Sequence, residues 1–221
     1  MPRLDVWLVE ENIFTSRQAA KRAIKEGLVT VDGRPMKPSY HVTGKEKILV
    51  SSLARDLPRG YGKLKQLDDR VQGRLVKPGT FALDVGSSAG GFLYYLLEKG
   101  AKVVGVEISE TFIPTLRELE KSFTGLFTLI AGDAFSIDPY AICNAGELDV
   151  LLIDVTTDPN GTLLLIERFT PVLKHGGRLI AAFKGKLDTN IVSNLSDYYS
   201  ESQIVELDSS VKEFHFIGQR G

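Results

Sequence analysis

From about residue 80 onward, short apolar runs alternate with stretches in which apolar positions recur every three or four residues. The runs near 81–84, 103–107, 126–130, 149–154 and 178–183 predict strands, and the periodic stretches near 91–99, 110–121, 161–174 and 187–199 predict helices. Pro171 falls inside the 161–174 stretch and marks a place where that helix would break. Ile204 to Leu207 and Phe214 to Ile217 add two last strands with a short turn between them, expected as an antiparallel edge. Such alternation predicts an α/β fold, a mostly parallel sheet with helices on both faces. Residues 1–50 have a different pattern. Leu4, Leu8 and Val9 give one helix an apolar stripe, Thr15 or Ser16 is placed to cap a second, and Arg17 to Lys25 form it. Its Ala20, Ala23 and Ile24 face inward, while Arg17, Lys21, Arg22 and Lys25 share most of one outer face. Gly27 ends the helix, Leu28 to Val31 is a strand, Asp32-Gly33 is a hairpin turn, and Ile48 to Val50 closes the unit. Residues 53–60 lack periodicity and contain Pro58 and Gly60, so they are expected as a linker between domains at 1–52 and 61–221, the second opening with a helix from Tyr61 to Arg70.

Composition adds limits. The 221 residues suit one domain of ordinary size with a small appendage. No apolar run approaches the roughly 18–20 residues that span a bilayer, and the start, Met-Pro-Arg-Leu-Asp, lacks the apolar core of a signal peptide. Cys143 is the only cysteine, so no internal disulfide forms and a cytoplasmic location is the expectation. His41, His175 and His215 are scattered, which argues against a metal site. The net charge of −1 hides an asymmetry: residues 1–50 carry 9 Lys/Arg against 6 Asp/Glu, and the remainder 18 against 22. A basic small segment joined to a mildly acidic large one points to a polyanionic partner for the first part.

The stretch Phe81-Ala-Leu-Asp-Val-Gly-Ser-Ser-Ala-Gly-Gly-Phe92 reads as strand, tight turn and helix start, an arrangement that receives nucleotide-like ligands. A dinucleotide fingerprint requires a second glycine where Ser88 stands, and no Gly-Lys-Ser/Thr of a phosphate loop follows the strand. Asp84 with the turn Gly86, Ser87, Ser88, Ala89, Gly90, Gly91 instead suits S-adenosylmethionine, which carries no phosphate and presents an amine and two ribose hydroxyls. Glu107, at the end of the second strand, is placed to accept from those hydroxyls. After the third strand, Asp133 beside Ala134 is placed to accept from the adenine amino group.

Two resemblances extend this reading. The run Thr15-Ser-Arg-Gln-Ala-Ala, with Ile24, Gly27-Leu-Val-Thr-Val-Asp-Gly-Arg34 and Lys37-Pro-Ser39, resembles an S4 RNA-binding domain. The resemblance implies docking on structured RNA, usually ribosomal, through Ser16, Arg17, Gln18, Lys21, Arg22 and Lys25. Arg59-Gly-Tyr-Gly-Lys-Leu64, Leu83 to Phe92, Asp149 to Val155 and Lys212-Glu-Phe-His-Phe216 together resemble the FtsJ-type RNA ribose methyltransferases, and the two domains in series resemble their haemolysin A-like branch. This implies a Rossmann-like, S-adenosylmethionine-dependent sheet with an antiparallel last strand, after a small α+β S4-like domain. It implies methylation of ribose 2′-hydroxyls in ribosomal RNA by a Lys-Asp-Lys-Glu tetrad. The family pattern puts the first lysine on Lys63 rather than Lys65, the acids on Asp154 and Glu213, and the second lysine on Lys184. Another register would place Ala181 at the family's second lysine, and the Pro-Gln-Phe-Glu continuation of that branch is missing after Lys184. A competing reading keeps RNA binding and makes the methyltransferase fold a non-catalytic scaffold. The presence of two lysines and two acids at the motif positions disfavours it.

Overall fold

The computed structural model describes the chain apart from residues 12, 15, 52–57, 186–188 and 209–211, and gives only the backbone at 59 and 189–192. Thr15 and most of the expected linker therefore lie outside the described residues. The chain divides into two compact units, Met1–Leu57 and Pro58–Gly221.

In the first unit, α1 (Leu4–Glu10) and α2 (Arg17–Lys25) pack beside β1 (Val29–Val31), β2 (Arg34–Pro35) and β3 (Ile48–Val50), an antiparallel sheet in the order β2-β1-β3. The stripe read from the sequence forms the core: Leu4, Leu8, Ala20, Ala23 and Ile24 are buried with Phe14, Val29, Val31 and Val42. Ser16 caps α2, its hydroxyl accepting from the Ala19 N–H at 3.2 Å. Asp32 and Gly33 take φ of 50° and 76°, the left-handed pair that a two-residue hairpin with right-twisted strands requires.

The second unit opens with α3 (Arg59–Arg70), which follows Pro58 directly and so takes the last two residues expected as linker. Then follow β4 (Phe81–Val85), α4 (Gly91–Glu98), β5 (Lys102–Glu107), α5 (Ile113–Ser122), β6 (Phe127–Ala131), β7 (Leu148–Ile153), α6 (Pro159–Phe169), β8 (Leu173–Lys184), α7 (Thr189–Ser196), β9 (Tyr199–Val205) and β10 (Glu213–Arg220). The sheet runs β6-β5-β4-β7-β8-β10-β9. Its first five strands are parallel, while β10 inserts antiparallel between β8 and β9. Strand order reverses between β4 and β7, and ligands of such sheets bind beyond the strand ends at that crevice.

The largest shifts of expected boundaries lie around two helix ends. The helix expected over 161–174 ends at Phe169, Pro171 sits in a single 3₁₀ turn, and Leu173 already begins β8. Proline has no N–H to continue the helical ladder. The last helix ends at Ser196 rather than 199, because Tyr199 is drawn into the sheet. There its ring meets Phe216 edge-on at 5.9 Å and its hydroxyl pairs with Thr170. No helix among the described residues is long and apolar enough to cross a membrane.

Candidate active site

Beyond the ends of β4, β5 and β6 lies a cavity of about 390 Å³, lined among others by Gly86, Ser88, Glu107, Asp133, Asp154 and Thr156. Gly86 is required twice over. Its φ is +90°, and a β-carbon there would lie 2.6 Å from the Asp154 carbonyl oxygen. Ser88 turns left-handed at φ 49°, and its N–H donates to Glu107 Oε2 at 2.6 Å. The Ser109 N–H donates to Oε1 at 2.7 Å, so two backbone amides fix the Glu107 carboxylate, and each oxygen keeps a further lone pair. Asp133 Oδ1 and Oδ2 accept from Phe135 N and Ser136 Oγ at 3.0 and 3.2 Å. Ile108 and Phe135 add exposed apolar surface to the same wall, a feature that single exposed side chains in a sequence do not announce.

Asp84 is completely buried, and among the described residues neither carboxylate oxygen has a hydrogen-bond partner. Burial, with the nearby charges of Asp154 and Glu107, pushes its carboxyl up to about 7. A fixed pair of empty acceptors beside two further acids suits a ligand that brings positive charge and N–H or O–H donors. A sulfonium with an α-ammonium and a ribose meets that description, so the residues present fit S-adenosylmethionine.

Of the remaining residues expected at the cofactor, Ala134 lines the cavity and Ser87, Gly90, Gly91 and Phe92 are outside its lining. The Ser87 hydroxyl is buried and donates to the Asp84 carbonyl at 3.1 Å, over Gly105. Gly90 is the left-handed residue before α4. Gly91 and Phe92 face α3: a β-carbon on Gly91 would stand 2.5 Å from Gly60 Cα and Gly60 N. Ala134 is buried in the cavity wall.

The Gly60–Gly91 approach carries α3, and with it Lys63, to the strand ends. Lys63 Nζ lies 2.7 Å from Asp154 Oδ2 and 2.7 Å from Glu213 Oε1. Burial lowers its ammonium's pKa, but Asp154 and Glu213 outweigh this and hold it above the ordinary lysine value. Lys65 points outward to Asp69 at 3.0 Å. Asp154 Oδ1 lies 3.5 Å from Lys184 Nζ, which also reaches Thr156 Oγ1 at 3.4 Å. Glu213 is the direct cross-strand partner of Lys184. Ala181, the residue favoured by the other register, is fully buried in the core. The four side chains thus form one row, Glu213–Lys63–Asp154–Lys184, beside the cavity that Asp154 helps to line.

On α2, Ser16 already serves as the cap, while Arg17 and Lys21 turn toward Asp5 at 3.1 and 3.7 Å. Asp5 is wholly buried on α1. Burial raises its pKa, yet hydrogen bonds from Arg3 and Arg17 prevail and hold it below the usual carboxylate value. Half the basic face is therefore tied to one internal acid, which sequence reading missed because Asp5 interrupts an apolar stripe without breaking it. Gln18 and Lys25 remain exposed, and Arg22 is half-buried.

Residues 57–213 match the FtsJ-like methyltransferase family, and residues 2–48 match the S4 domain. Ribosomal RNA large subunit methyltransferase E of Maricaulis maris is 31% identical over 170 residues, 70% of this chain and 57% of that protein. Ribosomal RNA small subunit methyltransferase A of Clostridium acetobutylicum is 29% identical over 162 residues, 69% of this chain and 57% of that protein. The chain spans less than two thirds of the length of such curated relatives. Among solved structures, a candidate hemolysin of Streptococcus thermophilus has the same fold over 99% of this chain and 88% of its own, with a TM-score of 0.57 at 19% identity. The Aeropyrum pernix fibrillarin solved with natively bound S-adenosyl-L-methionine shares the fold over 70% of this chain and 74% of its own, with a TM-score of 0.56 at 19% identity.

Proposed function

We propose, from the premise that the chain belongs to the FtsJ-like methyltransferase family, that it is an S-adenosylmethionine-dependent methyltransferase of RNA acting on a ribose 2′-hydroxyl. The observation that carries the reading is the row Glu213–Lys63–Asp154–Lys184 at the edge of an acid-lined cavity. S-adenosylmethionine, when bound, supplies an electrophilic methyl group on a positively charged sulfur. Glu107 and Asp133 would hold its ribose and adenine, and Asp84 would face its charged end.

A ribose hydroxyl is a weak nucleophile until its proton is taken. Lys63, wedged between two carboxylates at 2.7 Å, is held cationic and is the wrong group to take it. Lys184 has Asp154 only at 3.5 Å and is the more exposed, so it is the residue assigned to receive the proton. Lys63 fixes Asp154 and Glu213, and Asp154 in turn orients Lys184. Holding two substrates in line can supply on the order of 7–11 kcal/mol of the barrier, so the rigidity of this row counts as much as its basicity. The S4 unit supplies the grip on structured RNA, with ribosomal RNA as the substrate class.

The test is Lys184→Ala. Methyl transfer to ribosomal RNA should disappear while S-adenosylmethionine binding, followed by calorimetry, changes less than about threefold, because the side chain lies outside the acid-lined wall. With the unaltered protein, labelled methyl should survive in alkali-resistant dinucleotides, since a methylated 2′-oxygen cannot attack the neighbouring phosphate. Full activity of the variant, or label confined to bases, would sink the assignment.

A further inference from the structure

The row does not end at Glu213. His215, two residues further along β10, is 1% exposed, and its Nε2 lies 3.3 Å from Glu213 Oε1. Residues two apart on a strand share a face, and so do residues directly opposite in an antiparallel pair. Glu213 and His215 therefore stand on the same side of the sheet as their partners Lys184 and Ala182. Ala182 is the smallest side chain that position could offer short of glycine, and it leaves room for the imidazole. Among the described residues no aligned hydrogen-bond partner exists for either ring nitrogen. A hydrogen on Nδ1 alone would strand a buried donor and turn the Nε2 lone pair toward a carboxylate. A hydrogen on Nε2 puts the donor on the nitrogen 3.3 Å from Glu213 Oε1, where the carboxylate attracts it even without full alignment, and leaves Nδ1 as a bare acceptor, which is the cheaper arrangement.

We propose that His215 is a positioning residue: its Nε2–H braces the Glu213 carboxylate against Lys63 and thereby sets the geometry of the whole row to Lys184. This rests on the catalytic reading of that row. His215 is the largest influence holding Glu213 down to about 2, ahead of Lys63 and against the opposing effect of burial. From other elements, Lys63 on α3 pairs with Glu213 directly, Asp154 after β7 is joined to it through Lys63, and Lys184 stands at the opposite strand position on β8. Among the described residues, the ion-pair contact of His215 within the row is to Glu213. His215 can support Glu213 without taking part in the reaction.

The experiment compares His215→Leu with His215→Gln, whose amide nitrogen can occupy the place of Nε2–H. Glu213 is followed by ¹³C NMR of its side-chain carboxyl across pH, alongside methyl-transfer rates and melting temperature. In His215→Leu the Glu213 titration should move up by about one pH unit or more, and kcat should fall with the KM for S-adenosylmethionine unchanged. His215→Gln should bring both back toward the unaltered protein. An unmoved Glu213 titration in His215→Leu, or equal behaviour of the two folded variants, overturns the proposal. A moved titration with undiminished methyl transfer upholds the brace and refutes instead the catalytic reading of Glu213.

Discussion

Replacing Gly91 by alanine adds one methyl group that faces α3, and should still disable the site. The new β-carbon would lie 2.5 Å from Gly60 Cα, 2.5 Å from Gly60 N and 2.8 Å from Tyr61 N. All three are backbone atoms, so no rotamer change relieves the clash. To restore a contact of 3.4 Å, α3 must retreat by about 1 Å. Lys63 stands one turn along that helix, with both ion pairs at 2.7 Å, and the retreat takes it out of close contact with Asp154 and Glu213 unless they follow. Misplacement by about 1 Å can cost on the order of 10²-fold in rate. Overpacking costs about 1–3 kcal/mol, and exchanging a helical glycine returns up to about 1 kcal/mol. The melting temperature should therefore fall by only a few degrees, roughly 2–4 °C per kcal/mol in a domain of this size. Gly60→Ala is the matched control. Its β-carbon meets the Phe92 ring at 3.0 Å and backbone at 3.2 Å, so a few tenths of an ångström suffice. Methyl transfer to ribosomal RNA, measured beside calorimetric binding of S-adenosylmethionine and thermal melting, reads the three effects separately. Turnover of Gly91→Ala within twofold of the unaltered protein, or a larger loss in Gly60→Ala, would refute the claim that this helix contact places Lys63.

Two further predictions follow from buried acids. Asp84, raised from 3.8 to about 7, keeps in the folded state a proton that the unfolded chain loses, so stability should decline as pH rises from about 4 to 7 and stay low above. Asp84→Asn should then be the more stable protein at pH 8, by at most roughly 4 kcal/mol in urea unfolding, while binding S-adenosylmethionine more weakly; a less stable variant at pH 8 contradicts this. On α2, Arg17→Ala should lower the melting temperature, because it strips a partner at 3.1 Å from the buried Asp5 carboxylate. Lys25→Ala should leave melting unchanged and reduce the salt dependence of RNA binding by about one ion, and the reverse pattern would show that the two cations have been given each other's roles.

The alternation of apolar runs and periodic stretches was enough to lay out the sheet, because each strand buried on both faces is a nearly continuous apolar run, as Leu148–Ile153 is. At the site, the family resemblance puts the first lysine on Lys63 rather than Lys65 and the second on Lys184, with Ala181 in the other register. The geometry puts Lys63 and Lys184 in the row and leaves Lys65 and Ala181 out of it. What the sequence could not separate was the purpose of individual small residues. Gly86 and Gly91 occupy one motif and look interchangeable, yet Gly86 opens a cavity wall and Gly91 admits a neighbouring helix. A missing side chain records close approach without saying what approaches. The pairing of Asp5 with Arg17 and Lys21 was hidden for a similar reason, since long-range partners leave no period in the chain.

In the proposed reaction the acids would let one site serve a cation and a lysine base at the same time. Glu107 and Asp133 line the cavity, Asp84 is buried near Glu107 and Asp154, and Glu213 belongs to the lysine side, but Asp154 belongs to both: it lines the cavity, and its two oxygens face Lys63 and Lys184. In that reaction Lys184 takes the hydroxyl proton, and the cofactor, when bound, would supply a methyl group carried with positive charge. Asp154, which lines the cavity and lies 3.5 Å from Lys184, would keep a negative charge near both. That is the electrostatic economy expected of a preorganised site, where the fixed groups need not rearrange as charge shifts. It also gives Lys63 a task that is not proton transfer. Clamped between Asp154 and Glu213, it keeps the acid that matters at both ends of the reaction in one place.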